Sequence, residues 1–359
     1  MSLSLKQRAG LELQRRLRHT EARLHPLRTL FWECTLRCNM SCRHCGSDCR
    51  VQPSVPDMPA GDFLRVVDSL SPHVDPHRLF IIVTGGEALL RDDLEQVGRE
   101  LYRREFPWGV VTNGFLLDER RLDSLLASGM HSITVSLDGM EAEHNWMRGH
   151  PQSFARAERA IRLLARQGDA LWDVVTCVNP RNYPLLPQLR GWLEEAGVPA
   201  WRLFSIFPMG RAAADPGLQL DDSSLRGLMD FIEGCRQDSG EGGMAVSYAC
   251  EGFLGRYEGR VRNHLFHCRS GVDVASLRCN GAISGCTSVR GNMDQGNIYD
   301  GDDLWQVWNT RFGSMRDRSW ARKGACAGCE VWRYCEGSGL HLYDDGGNLL
   351  TCHYRRING

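Results

Sequence analysis

Apolar and polar positions run along the chain with two different periods. Short runs rich in β-branched and aromatic residues lie at 30–33, 79–83, 108–112, 132–137, 173–178 and 201–206. Between them, residues 61–70, 92–104, 119–128, 154–166 and 185–194 read as helices with one apolar face. The first pattern suits strands buried in a sheet, and the second suits helices lying on it. Strand and helix in alternation predict parallel β/α units and an α/β fold. Six units do not complete an eight-fold barrel, which leaves an open partial barrel or a doubly wound sheet. In either, functional loops follow the C-terminal ends of the strands.

The two ends of the chain read differently. Residues 1–28 carry Lys6, Arg8, Arg15, Arg16, Arg18, Arg23 and Arg28 against Glu12 and Glu21, with Leu13 and Leu17 on one helical face. They predict a basic amphipathic helix packed on the body. Residues 213–262 predict a helical bridge with one helix at 223–235 and a Gly-rich link at 239–243. From about 263 the periodicity weakens, and Cys, Gly and Trp become frequent. Such a segment buries little apolar surface alone, so metal cross-links are its expected support. The expected organisation is therefore a helix (1–28), a β/α domain (29–212), the bridge (213–262) and a loop-rich domain (263–359).

Charge excludes some partners. Lys plus Arg is 43 and Asp plus Glu is 44, a net charge of -1 over 359 residues. This balance gives no reason to expect nucleic acid or an anionic membrane. No apolar run is long enough to span a bilayer. Residues 1–10 lack the apolar core of a secretory signal, so the expected location is the cytoplasm. There, fifteen cysteines read as metal or cluster ligands rather than disulfides. Five fall between Cys34 and Cys49, and eight between Cys250 and Cys352. Of the others, Cys177 reads as core and Cys235 as inert. The loop residue Cys250 is a candidate ligand or thiol with no second signal.

The first group is Cys38-Asn-Met-Ser-Cys42-Arg-His-Cys45, directly after the first strand. Its C-x3-C-x2-C spacing lets three thiolates converge on one centre, one fewer than a closed zinc or [4Fe–4S] site needs. The open position suits a ligand or substrate. Cys34 and Cys49 are candidates for a fourth thiolate, and structural zinc is the alternative. Successive strand ends carry Thr84-Gly85-Gly86-Glu87, Thr112-Asn113-Gly114, Ser136-Leu137-Asp138-Gly139 and Val178-Asn179, with His144 to Arg148-Gly149 after the fourth. Glycines admit close backbone approach, and a carboxylate such as Glu87 can accept hydrogen bonds from an ammonium group.

These motifs, in this order, resemble the radical S-adenosylmethionine (SAM) superfamily. The resemblance implies a partial (β/α)6 TIM-like barrel. It also implies that Cys38, Cys42 and Cys45 hold three irons of a [4Fe–4S] cluster, the fourth being chelated by the amine and carboxylate of SAM. Thr84, Gly85, Gly86, Glu87, Asn113, Ser136, Asp138, Arg148 and Val178 are the implied SAM contacts. Reduced, such a cluster cleaves SAM to methionine and a 5′-deoxyadenosyl radical, which abstracts hydrogen from substrate. The cofactor carries the chemistry, and the protein orients it.

The C-terminal group reads Cys326-Ala-Gly-Cys329, then Cys335 and Cys352. Four thiolates suit a [4Fe–4S] cluster or zinc. Upstream stand Cys268 and Gly281-Ala-Ile-Ser-Gly-Cys286. Together these resemble the SPASM domain, a C-terminal extension of radical SAM enzymes that holds auxiliary iron–sulfur clusters. The resemblance assigns Cys326, Cys329, Cys335 and Cys352 to a distal auxiliary cluster. A proximal one would take Cys268, Cys286 and further cysteines, of which Cys279 is available. One position departs: where the pattern has a cysteine after Cys335 and three intervening residues, this chain has Gly339. The proximal site is thus expected to hold a [4Fe–4S] cluster with an open iron, a smaller cluster, or none. Residues 30–38 and 334–339 also resemble a subgroup associated with lipoprotein gene neighbourhoods.

By this resemblance the substrate is a peptide or protein that becomes modified. Oxidation of a small molecule, a sugar or tetrapyrrole, is the alternative, and a non-catalytic cysteine-rich scaffold a third. The scaffold leaves Gly85, Gly86, Glu87, Ser136 and Asp138 at successive strand ends unexplained. An electron donor such as flavodoxin or ferredoxin is implied. No general base is assigned: Thr287 follows Cys286 where some relatives carry Asp, and Glu33, Asp48 and Tyr248 read as structural.

Overall fold

The computed structural model describes residues 3–240, 242–249 and 251–359. Helix α1 (Leu5–Leu24) comes first, capped by Ser4 and Gln7 in a reciprocal capping box. The six expected strands form as β1 (Thr29–Glu33), β2 (Phe80–Thr84), β3 (Trp108–Thr112), β4 (Met130–Ser136), β5 (Leu171–Val178) and β6 (Ala200–Ser205). They alternate with α2 (Ala60–Leu70), α3 (Leu94–Arg103), α4 (Glu119–Ala127), α5 (Glu141–Arg148), α6 (Ser153–Arg166) and α7 (Leu186–Glu195). Helix α8 (Asp222–Asp238) leads to β7 (Ala245–Tyr248), and β8 (Val274–Arg278), β9 (Ala282–Ser284) and β10 (Gly296–Asn297) follow.

All ten strands share one sheet, ordered β10-β9-β8-β1-β2-β3-β4-β5-β6-β7. From β8 to β7 every pairing is parallel, and β9 and β10 add antiparallel edges. Helix α6 shows why the layers adhere: Phe154, Ala157, Ala160, Ile161 and Leu164 are buried at helical spacing. Asp118 and Asp221 accept backbone N–H bonds at the starts of α4 and α8. Among the described residues no helix is long and apolar enough to cross a membrane.

The structure adds elements to the sequence reading and turns one helix differently. Strands β7 and β8 extend the sheet from segments read as bridge and loop. The β8 sequence, Val-Ala-Ser-Leu-Arg, is buried at every position, so it shows no alternation. It pairs in register with β1, from Thr29 with Val274 to Glu33 with Arg278. Helix α1 packs through Leu11 and Arg18, while Leu13 and Leu17 face outward. The cause is a buried ion pair: Arg18 meets Glu336 and donates to the Tyr334 carbonyl at 2.7 Å.

Candidate active site

The loop after β1 carries the first cysteines, and its shape is set by neighbouring strand ends. The Gly86 N–H donates to the Thr35 carbonyl and the Glu87 N–H to the Arg37 carbonyl, each at 2.8 Å. Here the glycines are obligatory. A Cβ on Gly85 would stand 2.3 Å from the Thr35 oxygen, and one on Gly86 2.1 Å from the Arg37 oxygen. Gly85 also adopts φ of +147°, a region closed to other residues. On the far side, the Arg43 N–H donates to the Met147 carbonyl at 2.9 Å, and a Cβ on Gly149 would press on Ser41. Arg211, from the loop after β6, donates to the carbonyls of Cys42 and Cys49 at 2.7 and 2.8 Å.

These contacts bring Cys38, Cys42, Cys45 and Cys49 to one cavity of about 290 Å³. Thr84, Gly85, Gly86, Asn113, Ser136 and Arg148 line the same cavity. Glu87, Asp138 and Val178 do not, and Cys34 is buried in the sheet core.

Glu87 is wired inward. Its carboxylate accepts from Thr112 Oγ1 at 2.6 Å, the Asn113 N–H at 2.8 Å and the Leu89 N–H at 3.1 Å. Burial pushes its pKa up against those donors. Glu87 thus holds the Thr112–Gly114 turn, and through it Asn113, at the cavity wall. Asp138 is also fully buried. It accepts the Cys177 N–H at 2.9 Å and lies 2.6 Å from Nε of Arg148, whose Nη1 reaches Sγ of Cys42 at 3.8 Å. Burial opposes the Asp138 charge most strongly, but Arg148 together with the neighbouring histidines and the Cys177 N–H holds the carboxyl below its usual range. His144 accepts the Asp138 N–H on Nδ1 at 2.9 Å, and burial lowers its pKa to about 3. The imidazole is therefore neutral, as that acceptor role requires.

The thiols differ among themselves. A hydrogen bond from the Cys49 thiol lowers Cys45 to about 5, and the Cys49 N–H also points at Cys45 Sγ, 3.4 Å away. Burial, with Cys42 beside it, pushes Cys38 up to about 12. N–H donors aimed at two of the three sulfurs suit thiolate ligands. Tetrahedral zinc would need sulfurs about 3.8 Å apart, given Zn–S bonds of about 2.3 Å. Among the described residues, the one trio of possible ligands within 4.8 Å is His44, Asp138 and Cys177, where Arg148 already supplies the cation. Among the described residues, no three cysteine sulfurs all lie within 4.8 Å of one another.

In the C-terminal segment, the Cys335 thiol feels the charges of Cys352, Cys326 and Cys329, so those four lie together. Cys286 lies near Cys268. Cys279, the candidate further ligand of the proximal site, lies beside Glu33. It directly follows β8, and register with β1 puts its Sγ 4.0 Å from Glu33 Oε1. Cys250 lies outside the described residues. Cys177, read as core, lines the cavity.

Sequence reasoning missed Phe207, Met209, Arg211, Ser288 and Arg290 on the cavity wall. They come from the loop after β6 and from the segment between β9 and β10, and carry no motif. Of the polar candidates, Glu33 lines the cavity and pairs with Arg290. Asp48 pairs with Arg50 and Arg211 on the surface, and Tyr248 joins a buried network with Ser205, Glu251 and His353.

The model of the radical SAM superfamily matches residues 32–183, from β1 to just past β5. Over those residues the chain resembles the radical SAM superfamily. An AdoMet-dependent heme synthase of Methanosarcina barkeri is 26% identical over 362 residues, covering 91% of this chain and 97% of that protein. Mycofactocin maturase MftC of Mycobacterium ulcerans is 25% identical over 314 residues, 86% of this chain and 81% of that one. SuiB of Streptococcus suis, solved with S-adenosylmethionine, superposes with a TM-score of 0.68 at 18% identity, covering 90% and 77% of the two chains. This likeness implies S-adenosylmethionine and a [4Fe–4S] cluster as cofactors.

Proposed function

We propose that Cys38, Cys42 and Cys45 hold the cluster, and that SAM binds against Thr84, Gly85, Gly86, Asn113, Ser136 and Arg148. The observation that carries this reading is the convergence of three separate strand-end motifs, Arg148 of α5 and the cysteine loop on one cavity. When bound and reduced, the cluster supplies the electron that cleaves SAM to methionine and a 5′-deoxyadenosyl radical. The chain's own groups prepare that event. Gly85 and Gly86 let the backbone approach, Arg148 offers a cation for the SAM carboxylate, and Glu87 and Asp138 position Asn113 and Arg148 from behind. Glu87 is a positioning residue in this scheme. Cys326, Cys329, Cys335 and Cys352 hold an auxiliary cluster that exchanges electrons with the substrate or with a flavodoxin- or ferredoxin-like donor.

The radical abstracts hydrogen from an organic substrate, and two classes have separate support. End-to-end likeness to a heme synthase supports a tetrapyrrole. A fold shared with SuiB, which was also solved with its precursor peptide SuiA, supports a peptide. The test is 5′-deoxyadenosine production by the reconstituted enzyme with dithionite, comparing iron-coproporphyrin III with synthetic peptides. Deuterium passing from one labelled substrate into 5′-deoxyadenosine identifies the class. Absence of SAM cleavage with intact clusters would refute the reading.

A further inference from the structure

We infer that the outward face of α1 is a docking surface for an anionic lipid bilayer, on which the protein rests without crossing it. The inference is independent of the cluster assignments proposed above.

The helix has two faces. The inward one is complete without most of its leucines. Leu11 and Arg18 are buried, Arg18 pairs with Glu336, and the Gln7 amide donates to the Arg256 carbonyl at 2.7 Å. The other leucines are left outside. Leu13, Leu17 and Leu24 are 61%, 51% and 66% exposed, and Leu5 is more exposed still. Spacings of four and seven residues put Leu13, Leu17 and Leu24 on one line along the helix, with Lys6 on the same line seven residues before Leu13. Leu5, Arg16 and Arg23, spaced by eleven and seven, form a second line beside it. Exposed leucines scattered singly need no explanation, whereas a row of them marks a contact surface.

Charge decides what covers that surface. Lys6, Arg8, Arg16 and Arg23 are exposed, and among the described residues none has an acidic partner. Both acids of the helix are held by other cations. Glu12 meets Arg15 and Arg333, each at 2.7 Å, and Glu21 meets Arg28 at 3.5 Å and His267 at 3.7 Å. The face is therefore cationic, although the whole chain carries a net charge of -1. Two copies of such a face repel one another. Anionic headgroups instead pair with the free guanidinium and ammonium groups, while the leucines enter the boundary between headgroups and acyl chains.

Shape agrees. Over its 20 residues, about 30 Å, α1 presents a convex flank that a flat surface touches along its whole length. A protein partner needs a matching groove. The capping box at Ser4 keeps Leu5 and Lys6 helical at the end of that flank.

Co-sedimentation of the full protein with phosphatidylcholine vesicles, with and without phosphatidylglycerol, tests this. Wild type should bind the vesicles that contain phosphatidylglycerol and leave the neutral ones, and binding should fall as salt is raised. Arg16→Gln/Arg23→Gln should weaken binding roughly 25-fold, about fivefold for each cation lost. Leu13→Gln/Leu17→Gln should weaken it by about tenfold or more at unchanged charge. All four positions are exposed and glutamine suits a helix, so these variants keep the fold. Absence of binding to the mixed vesicles, equal binding to the neutral ones, or full binding by the leucine variant would overturn the inference. So would a wild-type dimer in size-exclusion chromatography that the leucine variant loses, which assigns the face to a second copy. Binding to polyglutamate without binding to vesicles would overturn it in favour of an acidic protein.

Discussion

Two cysteine regions of one chain are built in opposite ways. The loop 34–49 is held by backbone hydrogen bonds from β2, α5 and the segment after β6, and by glycines that let those segments touch it. The C-terminal cysteines sit on short turns, and the nearest large supports are side chains, Arg18 and Arg318. The first region is shaped before any ligand arrives. On the proposed assignment the second would be cross-linked by a cluster, which would then contribute directly to its folding. A functional site on a rigid sheet and a cluster on loops therefore answer differently to the loss of a cysteine.

The largest contrast is expected from single cysteine changes. Cys42→Ala should abolish 5′-deoxyadenosine formation while leaving the thermal midpoint close to wild type. Cys335→Ala should lower the midpoint and expose residues 319–359 to protease, with SAM cleavage retained. Equal thermal losses in both variants would break the comparison. Next comes the buried ion pair behind the first site. Arg148→Met strands Asp138 without a partner and should cost about 3–5 kcal/mol in denaturant unfolding. Adding Asp138→Asn should restore a large part, and a purely additive double variant would argue against the pairing.

Smaller effects sharpen the picture. Gly86→Ala forces a methyl onto the Arg37 carbonyl and should destabilise by about 1–3 kcal/mol, with loss of iron from the first site only. Glu87→Gln turns one acceptor into a donor facing the Asn113 N–H. SAM affinity should fall by roughly the cost of one unmatched buried group, about 1–3 kcal/mol, with iron content unchanged. Unaltered affinity by calorimetry would remove Glu87 from the positioning role. The smallest test concerns pH. Burial holds His144 at about 3 and His341 at about 4, both below the ordinary 6.5. Between those values the unfolded chain binds more protons, so stability falls as pH drops from 6.5. His144→Asn should reduce that slope by about 1.4 kcal/mol per pH unit. A slope identical to wild type would contradict the buried neutral imidazole.

Much of the fold was legible because helices and strands leave local periods. Positions 80–84 and 154–164 alternate or recur within a few residues, and local steric and hydrophobic preferences suffice to read them. The cysteine loop and the glycine-rich strand end were legible for a similar reason, since spacing within a turn decides which groups can converge. Strand β8 was not legible. Buried on both faces and rich in small residues, it carries no alternation, and its partner β1 lies more than two hundred residues away. Cavity residues such as Arg290 were invisible for the same reason, because its ion pair with Glu33 spans 257 positions.

The sequence by itself determined the alternating α/β architecture, the glycine-rich strand ends and the two cysteine groups. All of these are properties of residues close together in the chain. The tertiary structure alone decided where side chains point. It turned Glu87 away from the cavity toward the Asn113 turn, aimed Cys279 at Glu33, and set Arg318 against Cys268. Each choice depends on the desolvation of a charge or thiol by distant segments. That desolvation exists only once the sheet has set its register and the interior has excluded water.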